Sequence, residues 1–413
     1  MKYYFLKLIL ACGCLMLWTR CSNDNGSDPD RPDPEVEIPD PTAIAKTNQT
    51  KMYMHFMTWF ETKESSGNGQ WGYHWTMSNK NPDVMDSDGK REIASYFYPL
   101  TGPYHSGDPD VIDYQLLLMK YAGVDGVLID WYGTYDVNDY RMIFDNTEVV
   151  REHLLMVGLD YAIVYEDRFL QQVVEAGKAP TQLSAGKNDM RYLDREMFAD
   201  ENYIEIDGKP LLLCFGPVTL QTEEEWTDMF SVFEEAPEFF TLWYESGDAG
   251  VNATGEYSWV YEDNSHLKDF YEVRAPELQN SMGSAYPGFV DFYEEGGAES
   301  SIGFTIPHNG GETLNETLQM ASGSELLQLI TWNDYGEGTI LEPTHEFGFD
   351  YVNRLQTYAG VQASTEVFEG IFKWFQLRKK YASDREVQHK LDDAFAWFAA
   401  AKPEKALEII NGI

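Results

Sequence analysis

Short apolar segments recur along the chain, and each ends in polar or aromatic residues before a helical pattern begins. Segments of this length and composition are typical of buried strands. We interpret eight of them as strands, at residues 52–59, 93–99, 126–131, 161–167, 210–216, 239–245, 281–289 and 326–334. The sixth is ambiguous, because residues 257–262 could serve instead. Eight strands alternating with helices predict an α/β fold, a (β/α)₈ TIM barrel, whose chemistry lies at the carboxyl ends of the strands.

Helical patterns lie between these strands and again at the end of the chain. Residues 109–122 form one apolar stripe at helical spacing, with Val111, Tyr114 and Leu118 on it. After Thr344 the pattern is helical to the end, and residues 394–413 predict a closing helical hairpin broken at Pro403. We therefore place the barrel at residues 46–365 and a C-terminal helical extension at residues 366–413.

The first 45 residues predict export and attachment to a membrane by a lipid. Residues 1–20 have a positive start and an apolar core too short to span a membrane, as in a signal peptide. Cys21 follows directly and is the expected lipidation site, although Arg20 stands where a small residue is usual. Residues 21–45 are rich in Pro, Asp and Ser and predict a disordered acidic tether. This arrangement resembles Bacteroidetes outer-membrane lipoproteins exposed at the cell surface, and we expect no other membrane contact.

Charge and aromatic content restrict the partners. A formal net charge of −39 would repel nucleic acids and anionic polysaccharides, so a neutral polysaccharide or oligosaccharide is the expected ligand. Aromatic residues make up 15% of the chain and supply flat faces for sugar rings, although most of them are expected in the core. We expect a monomer.

Several chemistries lack the residues that they need. Beyond Cys21 the only cysteine is Cys214, in an apolar run that predicts a buried, inert thiol. The histidines form no zinc-binding pair, and the chain has no phosphate-binding glycine loop, nucleotide motif or serine-hydrolase elbow. No cofactor and no metal are expected, although calcium is left open. Carboxylate-driven glycoside hydrolysis is the chemistry that the residues can support.

The most informative motif is TWNDYGEGT, which runs from Thr331 to Thr339 after the last apolar segment. Gly336 and Gly338 favour a tight turn there, and the turn carries Asp334 and Glu337 among aromatic residues. Glycoside hydrolysis uses two carboxylates, one to protonate the leaving oxygen and one to activate water or attack. Asp334 and Glu337 are the predicted catalytic pair. The alternative is an ordinary acidic loop after a core strand.

The same motif, continued as ILEPT, resembles glycoside hydrolase families 71 and 99, which are barrel enzymes acting on α-linked glucans or mannans. The resemblance extends through YFYPLTGPYHSGDPD, GVDGVLIDWYG and YPGF. It implies that Asp334 and Glu337 match the Asp-x-x-Glu acid pair of the glucanase family. The mannan-cutting family resembles Glu-Trp-His-Glu at these positions, so Asp334 and Tyr335-Gly336 depart from it. An α-1,3-glucan-like substrate is therefore expected, with α-mannan as the other possibility.

Residues at the other strand ends are candidates for substrate binding. Asp130 is the strongest, because a carboxylate after an apolar strand needs solvent or a partner, and here it would face the cleft. Glu166 and Asp167 share that logic, although Arg168 could simply neutralise one of them. The full set of predicted substrate-binding residues is Trp59, His74, Tyr104, Asp130, Trp131, Tyr132, Glu166, Trp332, Asn333 and Tyr335.

These patterns predict a lipid-anchored glycoside hydrolase, an endo-α-glycosidase of polysaccharides. The alternative is a cell-surface protein that keeps the same barrel and binds glycan without cleaving it. The sequence leaves open which carboxylate is the acid, endo or exo action, and an inverting or retaining course. An inverting course needs the two carboxyl groups roughly 6.5–9.5 Å apart, and a retaining course needs them about 5–5.5 Å apart.

Overall fold

The computed structural model of the protein describes residues 39–298 and 301–413. The predicted signal peptide, Cys21 and most of the acidic tether lie outside the described residues. Within the described ranges, no helix combines the length and the apolar character needed to cross a membrane.

Eleven strands lie in the described residues, and eight of them form a closed parallel barrel. The order around the barrel is β1-β2-β3-β5-β6-β7-β8-β11, and β11 pairs with β1 to close it. This confirms the predicted (β/α)₈ barrel. The strands are β1 (Lys51–Phe56), β2 (Gly126–Trp131), β3 (Asp160–Tyr165), β4 (Glu205–Ile206), β5 (Lys209–Cys214), β6 (Glu238–Leu242), β7 (Gly255–Tyr257), β8 (Asn280–Ala285), β9 (Phe289–Val290), β10 (Thr305–Ile306) and β11 (Leu326–Leu329).

Thirteen α-helices lie in the same residues, and most of them cover the outside of the barrel. Parallel strands covered on both faces are buried throughout, which explains why they appear in the sequence as continuous apolar runs. The helices are α1 (Tyr73–Thr76), α2 (Pro109–Tyr121), α3 (Tyr140–Val157), α4 (Leu170–Glu175), α5 (Gln182–Tyr192), α6 (Glu223–Phe230), α7 (Ser246–Ala249), α8 (Asn264–Asp269), α9 (Glu312–Met320), α10 (Asp350–Ala359), α11 (Glu366–Lys380), α12 (Arg385–Ala399) and α13 (Pro403–Asn411).

Two of the strand assignments differ from the prediction. Residues 93–99 form a loop and not a strand. Their aromatic side chains, which gave this segment the composition of a strand, pack against other loops. The Phe97 ring lies 4.9 Å from the His308 ring, and the Tyr96 ring lies 4.8 Å from Phe292. At the ambiguous sixth position the strand is β6, which overlaps the first of the two segments, and a further short strand, β7, ends at Tyr257, where the alternative segment begins. The barrel therefore reaches eight strands without residues 93–99.

The C-terminal helices pack against α2 on the barrel. Arg378 Nε of α11 lies 2.9 Å from Asp110 Oδ1, and Lys379 Nζ lies 2.7 Å from Asp108 Oδ1. The Tyr121 hydroxyl of α2 donates a hydrogen bond to the carbonyl of Phe398 at 3.0 Å. Pro403 begins α13, so the break predicted there separates α12 from α13.

Candidate active site

A cavity of about 200 Å³ opens at the carboxyl ends of the barrel strands. Seven of the residues predicted for the site line it, which are Trp59, His74, Asp130, Tyr132, Glu166, Asp334 and Glu337. They lie at or after the carboxyl ends of β1, β2, β3 and β11. These segments are far apart in sequence and meet only because the strands close into a barrel. The other lining residues are His55, Met57, Phe60, Tyr73, Met77, Arg168, Phe169, Phe215, Trp259, Tyr293 and Gly336.

The turn that carries Asp334 and Glu337 is closed by its own hydrogen bonds. Thr331 N donates to the Thr339 carbonyl at 2.6 Å, and Asp334 N donates to Thr331 Oγ1 at 2.8 Å. Glu337 N donates to Asp334 Oδ1 at 3.0 Å, so the first acid positions the backbone of the second. Gly338 has a φ of 67°, and a Cβ there would lie 2.7 Å from the Val290 carbonyl oxygen, which requires glycine.

Both carboxyl groups of this turn lie in surroundings that favour the protonated form. Asp334 is 4% exposed, and burial raises its pKa to about 6 although hydrogen bonds from the Glu337 and Gly336 backbone oppose the shift. The pKa of Glu337 is raised well above its ordinary value by burial and by the negative charge of Asp334. The Tyr293 hydroxyl donates a hydrogen bond to Glu337 Oε1 at 3.2 Å. A neighbouring acid pair with raised pKa values is suited to proton transfer near neutral pH.

A second pair of acids faces the same cavity. Asp130 is the fifth residue of β2, and Glu166 follows β3 directly. Burial and the charge of Glu166 raise the pKa of Asp130 well above its usual range, and burial raises that of Glu166 to about 7. Arg168 Nε lies 2.6 Å from Glu166 Oε2, as the sequence suggested. Asp130 Oδ1 is buried without a hydrogen-bond partner among the described residues. A sugar hydroxyl would satisfy it.

Aromatic rings form one wall of the cavity. The rings of Trp59 and His74 stack with centroids 4.2 Å apart and planes at 6°. The Tyr132 ring packs on Phe169 at 3.9 Å. Such faces, held in place by their neighbours, can stack against a sugar ring.

Five predicted substrate-binding residues lie outside the cavity lining, in the core: Tyr104, Trp131, Trp332, Asn333 and Tyr335. The Trp131 ring stacks on Tyr192 of α5, at 6.2 Å between centroids. Asn333 exchanges two hydrogen bonds with the Met57 backbone, at 2.9 and 3.0 Å. As placed, these residues support the cavity from the core. Direct contact of these five residues with a substrate stays a prediction.

Two of these core residues belong to a buried network around Glu342. Its carboxylate accepts hydrogen bonds from the hydroxyls of Tyr104 and Tyr335 at 2.9 and 2.8 Å, and from Gln115 Nε2 at 2.8 Å. Burial raises the pKa of Glu342 to about 7 despite these donors. Because Tyr335 lies between Asp334 and Glu337 in sequence, the network fixes the turn from below.

Sequence reasoning did not single out Tyr293 and Trp259, which both line the cavity. Tyr293 follows β9 in a loop whose sequence carries no functional signal. Trp259 lies two residues beyond β7, a strand too short to be recognised in the sequence. Across residues 39–298 and 301–413, no cluster of three or more His, Cys, Asp or Glu side chains is arranged to hold a metal ion.

Comparison with known proteins shows likeness in structure. No family model matches the chain, and no curated protein matches it in sequence. The fold is similar to that of the GH99 endo-alpha-mannosidase from Bacteroides thetaiotaomicron, with a TM-score of 0.59 and 17% identity over 78% of this chain and 98% of that one. A glycoside hydrolase-like protein gives a TM-score of 0.54 and 13% identity over 80% and 98%. The barrel of this chain is thus similar in fold to that of a family 99 glycoside hydrolase.

Proposed function

We propose that the protein is an O-glycosyl hydrolase that cleaves an α-linked polysaccharide with Asp334 and Glu337. The observation that carries the proposal is the position of these two buried acids at the end of β11, in a cavity that also holds Asp130 and Glu166. Two carboxyl groups beside an aromatic wall are what acid–base cleavage of a glycosidic bond requires.

The environments of the two acids assign them different roles. Glu337 has the more strongly raised pKa, since burial and the negative charge of Asp334 both disfavour its ionised form, and it is the proposed general acid. Tyr293 occupies Oε1 of Glu337, which leaves Oε2 to carry the proton toward the leaving oxygen. Asp334 accepts backbone hydrogen bonds that favour its ionised form, so it is the proposed base or nucleophile.

The second pair of acids is proposed to bind the sugar. Asp130 Oδ1 has no hydrogen-bond partner among the described residues, so a sugar hydroxyl that donates to it would remove the cost of an unpaired buried oxygen. Glu166 is held by Arg168 and lines the same cavity as Asp130.

An α-glucan is the first candidate substrate, because Asp334-Tyr335-Gly336-Glu337 matches the Asp-x-x-Glu pattern of the glucanase-like enzymes. The likeness to a GH99 endo-alpha-mannosidase favours α-mannan as the second. The same proposal includes endo action at the cell surface, by a protein that is anchored to the outer membrane through Cys21.

The test is release of reducing sugar by the purified chain from α-1,3-glucan, dextran, pullulan and α-mannan, with a β-glucan as the control. Release from one α-linked polymer that is absent in the Glu337→Gln variant supports the proposal. Binding to a polymer without any release would instead support the glycan-binding alternative.

A further inference from the structure

A second hollow, of about 380 Å³, opens beside the catalytic cavity at the ends of β6 and β7. Its wall contains three aromatic rings, those of Trp243, Tyr244 and Tyr261. Tyr244 is 59% exposed and Tyr261 is 46% exposed, whereas Trp243 lies below them and is almost buried. Exposed aromatic side chains of this size in a soluble domain mark a binding surface when they cluster.

The rings are held in place by their neighbours. The Trp243 ring lies 6.2 Å from the Tyr244 ring and 5.7 Å from the Tyr261 ring. The Tyr261 ring meets the His266 ring edge-on at 4.3 Å. A wall made of rigid rings loses little conformational freedom when a ligand binds.

Tyr244 itself has a left-handed backbone, with a φ of 66°, which is uncommon for a bulky residue. A buried ion pair holds it there. Tyr244 N donates to Glu256 Oε2 at 2.9 Å, and Arg274 Nε donates to the same oxygen at 2.8 Å. Arg274 Cζ also lies 5.5 Å from the centre of the Tyr244 ring and covers one face of it. Strained conformations maintained in this way concentrate at functional sites.

The loops after β6 and β7 place the hollow near the catalytic cavity. Trp259 lines the cavity and Tyr261 lines the hollow, and two residues of chain span at most about 7 Å. Trp243 N donates to the Tyr257 carbonyl at 2.9 Å, which joins the two loops that carry the rings. This short separation puts the hollow within reach of a polymer bound in the cavity.

The polar groups of the hollow fit a neutral sugar. Glu245 and Asp269 line it and can accept hydrogen bonds from hydroxyl groups, whereas an anionic ligand would be repelled. We infer that Trp243, Tyr244 and Tyr261 form a distal subsite that stacks a neutral sugar ring of the same polysaccharide beyond the cleaved bond. This inference rests on the proposed function for the identity of its ligand.

Affinity electrophoresis of the full chain tests the subsite, in gels containing dextran, pullulan or α-mannan. All proteins carry Glu337→Gln so that the polymer is not cleaved during the run. Tyr244→Ala and Tyr261→Ala should each weaken retention by about fivefold or more, since each removes an aromatic face on which a sugar ring would stack. Tyr244→Phe and Tyr261→Phe keep the ring and should keep most of the retention.

Tyr381→Ala is the matched control, because Tyr381 lies in the turn between α11 and α12, and it should run as the parent. Thermal melting of each variant shows whether it is folded. Retention of both alanine variants equal to the parent overturns the inference, and so does a parent that no polymer retains. Failure of the proposed function is a separate result, the absence of reducing-sugar release by the wild-type chain.

Discussion

The backbone N–H of Glu337 donates a hydrogen bond to Oδ1 of Asp334 at 3.0 Å, so one member of the acid pair fixes the position of the other. The side chain of Asp334 therefore has a structural as well as a chemical part in the turn. Asparagine at this position retains an oxygen that can accept the same hydrogen bond, whereas alanine does not. The two substitutions separate chemistry from positioning.

Asp334→Asn and Glu337→Gln should each lower kcat by about 10²–10⁴-fold or more, because each removes a proton-transfer or nucleophilic group while preserving shape. Glycan binding should persist. Steady-state kinetics on the cleaved polymer and affinity electrophoresis measure the two effects. The double variant should lose much less than the product of the single losses, since the two groups act in one reaction. Hydrolysis that survives both substitutions would contradict the assignment.

Activity should fall on the acid side near pH 6 instead of near pH 4. The proposed reaction uses Asp334 in its ionised form, and its pKa is raised to about 6, so protonation would remove the base as the pH falls through that value. The alkaline side should reflect loss of the proton of Glu337, whose pKa is raised well above its ordinary value. Because the acids interact, the measured values belong to the pair. A profile of kcat/KM from pH 4 to 10 tests this, and full activity at pH 4.5 would rule it out.

Asp130→Ala should weaken transition-state binding by about 1–3 kcal/mol through the loss of a hydrogen bond to a sugar hydroxyl. The unpaired oxygen of Asp130 in the cavity motivates this expectation. Comparison of kcat/KM with that of the wild type gives the free-energy difference. A folded variant with unchanged kinetics would show that Asp130 has only a structural role.

Glu342→Gln should lower the free energy of unfolding by about 1–3 kcal/mol, because an amide cannot accept all the hydrogen bonds from Tyr104, Tyr335 and Gln115. The folded-state pKa of Glu342 is about 7, above that of an unfolded glutamate. The wild type therefore gains stability from this group at low pH and loses it as the pH rises toward 7. Urea unfolding at pH 4.5 and 7.5 should show a smaller difference between the two proteins at the higher pH. An equal difference at both would contradict the raised pKa.

Cys21→Ala should abolish labelling of the protein by a lipid precursor in cells, because Cys21 directly follows the predicted signal peptide. The wild type should be labelled, and Cys214→Ala is the matched control, since that thiol is buried. Equal labelling of the wild type and Cys21→Ala would contradict lipidation at this residue.

The barrel was predictable because its strands are buried on both faces and so appear as unbroken apolar runs. Residues 93–99 have a composition similar to that of the strands, but their aromatic rings pack against loops. These contacts are with residues far away in sequence, so the local sequence does not predict them. β7 has only three residues, too short for a periodic signal. Its Gly255 admits the Phe240 ring, which would lie 2.7 Å from a Cβ there.

The site was predictable at strand ends, but only for every second residue. Successive side chains of a strand point to opposite faces, so Asp130 reaches the cavity while Trp131 packs outward against the helices. In the turn after β11, Asp334 faces the cavity, whereas Tyr335 enters the core because its hydroxyl binds Glu342 there. Tyr293 reaches Glu337 from a loop 44 residues away in sequence, and such contacts follow from the folded chain alone.

The ion pairs between α11 and the start of α2 have a consequence for how the protein unfolds. Asp108 caps α2 and also binds Lys379, and Asp110 binds Arg378, so the end of the chain stabilises a helix of the barrel. Melting α11 would leave these carboxylates without their cations and expose the rings of Tyr114 and Phe375, now 5.1 Å apart. Barrel and C-terminal helices should therefore lose structure in one cooperative transition, and a chain shortened to residue 365 should melt well below the intact one.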